Sequence, residues 1–157
     1  YKILIQELGT VVGQFNGSIF KLTGDGFIAV IDHPCFTRQC DNAVDMGLSF
    51  LVILRDSVNP ALEEAGLHRL EIRVGADYGE ARIQRLEVQT TGYSQTDIVS
   101  DALNRAVKIE NSCGSDEFRI GRTLYELVHV QWLERAQGVV FNGATVGIPG
   151  YEVYRVT

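Results

Sequence analysis

Apolar residues recur at helical spacing at Ile3, Leu4, Leu8, Val11, Val12 and Phe15, which predicts an amphipathic helix over 2–15 that ends at Asn16-Gly17. The pattern then changes. Phe20-Lys21-Leu22 and Phe27–Ile31 are short apolar runs flanking Thr23-Gly24-Asp25-Gly26, and they predict a hairpin over 18–31. Its Gly-Asp-Gly turn is expected to use positive-φ residues, which match the twist of paired strands. Asp32-His33-Pro34 breaks the second strand, and a lone turn histidine such as His33 is read as solvated. Helical spacing returns at Ala43, Met46, Phe50, Ile53 and Leu54, predicting a long helix from about Thr37 to Leu54 or beyond. Asn59-Pro60 interrupts it or starts a short helical turn.

Leu70–Ala76 alternates as a strand does, Asp77-Tyr78-Gly79 reads as a turn, and Glu80–Ile83 reads as the returning partner strand. Residues 87–96 are polar and read as a loop. Asp97-Ile98-Val99 leads into a helix over 100–111, with Ser100 or Asp101 as the cap and Leu103, Ala106, Val107 and Ile109 on its apolar side. Phe118-Arg119-Ile120 reads as a short strand, 122–128 as a short helix, and 130–157 as two or three antiparallel strands. The order is helix, hairpin, helix, hairpin, helix, strand, helix, strands. That is an α+β fold with helices packed on a mostly antiparallel sheet.

Size and charge narrow the function. A chain of 157 residues suits one domain, 1–157, with a real core. A net charge of −6 argues against a general nucleic-acid binder, which needs a basic surface. No apolar run reaches the roughly 18 residues of a membrane span, and the start has no signal-peptide pattern. Three cysteines, Cys35, Cys40 and Cys113, fit reduced thiols and a cytoplasmic setting, and they lack the spacing of a zinc site. The chain starts at Tyr1, directly in a helical pattern, so a piece of a longer product is expected.

Lys21-Leu22-Thr23-Gly24-Asp25 resembles the Lys-x-x-Gly-Asp hairpin of the class III nucleotide cyclases, the adenylate/guanylate cyclase catalytic domains. Three later segments agree in order. Arg73, Gly75 and Gly79 match that family's Arg-x-Gly-Ile-x-x-Gly strand pair. Asp97–Lys108 matches its Asp-hydrophobic-x-Gly-x-x-Val-Asn-x-Ala-x-Arg segment, with Lys108 where the arginine stands. Arg119–Tyr125 resembles the strand-to-helix segment that follows. The resemblance implies a ferredoxin-like core whose first strand is missing ahead of Tyr1, and with it an Asp-x-x-Gly-Phe segment that carries a second metal-binding aspartate.

The implied reaction closes the ribose 3′-hydroxyl of a nucleoside triphosphate onto the α-phosphate and releases pyrophosphate, aided by two divalent ions, Mg²⁺ or Mn²⁺. By resemblance, Asp25 binds metal, Lys21 and Asp97 read the base, Asn104 orients the ribose, and Lys108 stabilises the reacting phosphate. Glu80 replaces a phosphate-binding arginine, for which Arg82 is a candidate substitute. Asn142, in Val140-Phe141-Asn142-Gly143, replaces a lysine that touches the terminal phosphates. Read without the resemblance, Asn104 and Lys108 are solvated helix residues and Arg82 is a surface arginine. The family also implies a head-to-tail homodimer with sites at the interface. Lys21 with Asp97 suits adenine, hence ATP and cyclic AMP. Lysine at 108 also resembles the stand-alone Pycsar anti-phage cyclases, hence UTP or CTP and cyclic UMP or CMP. The alternative is a non-catalytic cyclase-like module that binds nucleotide or a regulatory partner.

Overall fold

The computed structural model describes residues 1–157. Helix α1, Lys2–Gln14, lays Leu8, Val11 and Val12 against Met46 and Phe50 of α2, Phe36–Ile53. The hairpin of β1, Gly17–Leu22, and β2, Phe27–Ile31, closes this first core with Ile19, Phe27, Ala29 and Ile31. Phe27 meets Phe50 edge to face, with ring centroids 5.9 Å apart. The turn differs from expectation. Neither Gly24 nor Gly26 has positive φ. Instead Thr23 closes the loop, its N–H donating to the Gly26 carbonyl at 2.9 Å and its hydroxyl accepting from the Gly26 N–H at 3.2 Å. A register shift between Ile19 and Lys21 marks a bulge in β1 just before Lys21.

The long helix continues past α2 through a π-helical turn, Leu54–Val58, into α3, Asn59–Glu64. Pro60 does not break it, and falls where the ladder leaves the π turn and α3 begins. Asn59 is buried and holds the next segment as a strand would. Its amide donates to the Leu70 carbonyl at 2.9 Å and accepts from the Leu70 N–H at 2.8 Å.

Four strands make the main sheet: β3, Arg73–Ala76; β6, Glu117–Gly121; β7, Ala136–Val139; and β8, Val153–Val156. Their order is β3-β6-β8-β7, with β3 parallel to β6 and the other pairs antiparallel. Phe118 and Ile120 of β6 are fully buried against Cys40 and Val44 of α2, together with Leu124, Val128, Trp132 and Val156. Short helices α5, Arg122–Tyr125, and α6, Val130–Leu133, and a 3₁₀ turn, Gly143–Val146, fill the connections. No helix is long and apolar enough to cross a membrane.

Three expectations are corrected here. Residues 80–83 do not return to pair with 70–76: β3 takes β6 as its partner, and the strand is only four residues long. Residues 87–96 are not a loop but most of a second hairpin, formed by β4, Arg82–Val88, and β5, Tyr93–Val99. The tail carries two strands and two helical turns rather than two or three strands alone. The second hairpin escapes periodicity because residues 81–90 are all exposed, so no buried face imposes alternation.

Helix α4, Asp101–Asn111, packs on β3 without any side chain between the two backbones at Gly75. A Cβ there would lie 2.5 Å from the Ala106 carbonyl oxygen and 2.5 Å from the Glu110 nitrogen. Since helix backbone cannot yield as a side chain can, Gly75→Ala is expected to lower stability by about 1–3 kcal/mol, read as a lower urea midpoint at unchanged m-value.

Candidate functional site

The site is organised around α4, and two sets of contacts hold that helix in place. Ser100 is the cap. Its hydroxyl accepts from the Leu103 N–H at 3.4 Å and donates to the Glu80 carbonyl at 2.7 Å, tying the helix start to the chain after β3. One turn on, Arg105 enters a buried ionic knot. Asp77, whose side chain is wholly buried, accepts from Arg105 Nε at 2.5 Å and from the Tyr151 hydroxyl at 2.6 Å. It also accepts from the N–H groups of Tyr78 at 2.9 Å and Leu124 at 3.3 Å. Arg105 donates as well to the Tyr78 carbonyl, and its guanidinium lies 5.3 Å from the Tyr151 ring centroid. Burial works against the Arg105 charge, but Asp77 and then Tyr151 outweigh it and hold the guanidinium above its ordinary value. Burial and Asp77 together push the Tyr151 phenol up. The knot joins the end of β3, α4, α5 and the lead-in to β8.

Beyond Arg105, α4 delivers Lys108 into a cleft of about 220 Å³ between its C-terminal end and the segment 140–146. Asn111, Ser112, Arg119, Asn142 and Thr145 share that cleft, and no carboxylate lines it. The Lys108 ammonium sits close to Gly147, where an added Cβ would come within 3.9 Å of it. Asn104 lies one helical turn earlier and is exposed. The cleft thus gathers two of the positions singled out from the sequence, Lys108 and Asn142, and adds Arg119, which sequence reasoning passed over as a mere strand residue.

The other predicted residues stand elsewhere. Asp97 is a strand residue of β5, opposite Gln84, and its carboxylate accepts from the Ile98 N–H at 2.9 Å. Arg82 opens β4 opposite Val99, so Arg82 and Asp97 share one face of the hairpin. Glu80, expected to open the returning strand, lies outside β4, which starts at Arg82. Lys21 pairs with Ile28 in β1, and Asp25 sits exposed in the turn after it. No ion pair joins Lys21 to Asp97 within the chain.

A pair of divalent ions needs convergent oxygen ligands. No group of three His, Cys, Asp or Glu side chains in this chain is arranged to hold one. Asp25 supplies a single exposed carboxylate. The donor set of one chain therefore does not fit a two-metal centre. Of the cysteines, Cys35 is exposed, while burial, aided at Cys40 by Asp41, pushes the thiols of Cys40 and Cys113 up to about 11.

No protein-family profile matches the chain, and no curated protein resembles it in sequence. Solved structures do resemble it. The adenylyl cyclase CyaB from P. aeruginosa superposes with a TM-score of 0.79 at 16% identity, over 99% of this chain and 79% of the other. The guanylyl cyclase Cya2 gives 0.78 at 22% identity, over 99% and 77%. A class III adenylyl cyclase-like ATP-binding protein from Pseudomonas aeruginosa gives 0.76 at 17% identity, over 85% of this chain and 29% of the other. The α+β arrangement of α1–α6 and β1–β8 is the fold of the class III nucleotide cyclase catalytic domains.

Proposed function

We propose that the chain is a nucleotide cyclase domain, which closes the 3′-hydroxyl of a nucleoside triphosphate onto its α-phosphate with loss of pyrophosphate. The observation that carries this reading is the carboxylate-free cleft containing Lys108 and Arg119 in a chain whose net charge is −6. Cations gathered against the overall charge of the chain suit the polyphosphate tail, where negative charge accumulates as pyrophosphate departs. Asn104 provides an amide for the ribose, and Lys21 with Asp97 provides a donor and an acceptor for the base. By resemblance, Lys21, Asp97, Asn104 and Lys108 of one protomer and the metal-binding Asp25 of its partner serve the same site, so the working unit is a head-to-tail homodimer. The β4–β5 hairpin supports such a homodimer. It leaves Ile83 at 74%, Val99 at 53% and Tyr93 at 50% exposed, more apolar surface than an isolated two-stranded ribbon sustains in water. The resemblance implies Mg²⁺ or Mn²⁺ with Asp25 as one ligand.

The substrates this reading names are ATP, giving cyclic AMP, and UTP or CTP, giving the cyclic pyrimidine nucleotides of anti-phage signalling. The test incubates the purified protein with ATP, GTP, CTP and UTP in turn, with Mn²⁺ present, and separates cyclic products by chromatography. Cyclic AMP, or cyclic UMP or CMP, is the expected product. Dominant cyclic GMP overturns the base assignment. A second reading, a nucleotide-binding module without turnover, is favoured by the incomplete metal donor set and by the likeness to an ATP-binding cyclase-like protein. Tight nucleotide binding with no cyclic product from any of the four would select it.

A further inference from the structure

Strand β6 alternates strictly. Phe118 and Ile120 point into the core with no exposed surface, so Arg119 between them points to the opposite side, under the end of α4. There its side chain is only 15% exposed, yet it forms part of the cleft that holds Lys108. Its protein partners do not use up the guanidinium. One terminal nitrogen meets Glu117 at 3.0 Å and the other donates to the Ser112 hydroxyl at 3.2 Å. Each terminal nitrogen carries a second N–H that neither partner takes, whereas the Nε–H is closed off from solvent without an acceptor and is not offered to the cleft. Burial pushes the Glu117 carboxyl up, but the Gly114 N–H and Arg119 outweigh that and hold it below its ordinary range, so Glu117 is a fixed anion that orients the fork. A guanidinium held by one carboxylate and one hydroxyl, lining the same cleft as a lysine with no acid in the lining, suits phosphate oxygens.

We infer that Arg119 is the polyphosphate-binding cation of this cleft, acting with Lys108 on the β- and γ-phosphates of a bound nucleoside triphosphate. The inference rests on the nucleotide reading above and adds a residue to it. The size of the cleft agrees. Pockets that enclose whole drug-sized ligands run to roughly 300–1,000 Å³, so an open cleft of about 220 Å³ suits a polyphosphate better than an entire nucleotide. Asn142 at the same cleft carries no charge, so without Arg119 the phosphates would face Lys108 alone.

The probe is inorganic tripolyphosphate, titrated by calorimetry into the wild-type chain and into Arg119→Gln, Arg119→Lys and Asn142→Lys. Arg119→Gln is expected to weaken binding by about 10- to 100-fold, the worth of one or two charge-assisted hydrogen bonds. Arg119→Lys falls between, keeping the charge but losing the fork. Asn142→Lys, an exposed position, tightens binding, and in the Arg119→Gln background it restores part of the loss. Thermal melting without ligand accompanies each variant. If Arg119 serves only to pair Glu117, melting falls while tripolyphosphate binding by the folded fraction stays at the wild-type value, and the inference is overturned. It is equally overturned if the wild-type chain does not bind tripolyphosphate. Loss of tripolyphosphate binding in Arg119→Gln without any cyclic product from the wild-type chain keeps the inference and discards catalysis. Cyclic product formed equally well by wild type and Arg119→Gln, with unchanged tripolyphosphate affinity, does the reverse.

Discussion

Under the proposed cyclase reading, Lys108→Ala is expected to lower cyclic nucleotide formation by about 10²–10³-fold while leaving the helix intact. Two unit charges 4 Å apart interact by about 4 kcal/mol at an effective dielectric near 20. A tenfold rate change needs about 1.4 kcal/mol. The charge that grows on the departing pyrophosphate is less than a full unit, so the loss is smaller than a full charge pair would give, and about 10²–10³-fold is the range observed when one such donor is removed. Alanine is the best helix former, so α4 keeps its shape and its packing on Gly75. Lys108→Arg keeps the charge and adds a fork that grips phosphate oxygens in two places, so it retains or raises activity. The measurement is single-turnover product formation at saturating nucleotide, with far-UV circular dichroism to show an unchanged fold. An undiminished rate in Lys108→Ala would remove the cleft from the chemistry.

How far the sequence could be read depended on what each element buries. Helices α1 and α2 each place one apolar side against a core, so the spacing of Leu8, Val11 and Val12, or of Met46 and Phe50, reports them directly. Helix α4 reports its start through Ser100, because capping is a local hydrogen bond. The β4–β5 hairpin is silent, since both of its faces meet solvent in one chain and nothing selects an alternating pattern. Parallel pairing of β3 with β6 joins segments more than forty residues apart, beyond the reach of any local signal. The same distance rule separates the site residues. Lys21 and Asp25 could be assigned to a strand and a turn from neighbours alone, and they lie there. Arg119 could be assigned to a strand, but its place in one cleft with Lys108 and Asn142 is made only by the tertiary fold. Asp77, in an Asp-Tyr-Gly stretch that reads as a turn, is wholly buried because of partners 28 and 74 residues away.

That buried carboxylate carries the largest stability effect. Asp77→Asn preserves shape but removes the charge and turns an NH₂ group toward donors. Asp77 receives four of them: Arg105, Tyr151 and the N–H groups of Tyr78 and Leu124. An amide oxygen can still serve the two backbone N–H groups, but its nitrogen then faces the guanidinium and the phenol. Arg105, whose side chain is 19% exposed, is left as a largely buried cation without a counter-charge. Removing one partner of a buried pair costs about 3–5 kcal/mol, about a fifth or more of the roughly 5–15 kcal/mol that holds a domain together. At about 2–4 °C per kcal/mol for a chain of this size, the melting temperature falls by around 10 °C. Tyr151→Phe removes a single hydrogen bond to the same carboxylate and costs about 1.5–3 kcal/mol. The two variants measured alone and together by urea denaturation should be non-additive, because they share one acceptor. An Asp77→Asn chain within about 1 kcal/mol of wild type would show that the charge is dispensable to the knot. Otherwise the effect reaches the site through α4, where Asn104 and Lys108 flank the arginine that Asp77 anchors: a loosened helix lowers the affinity of the cleft for tripolyphosphate even under conditions where the chain stays folded.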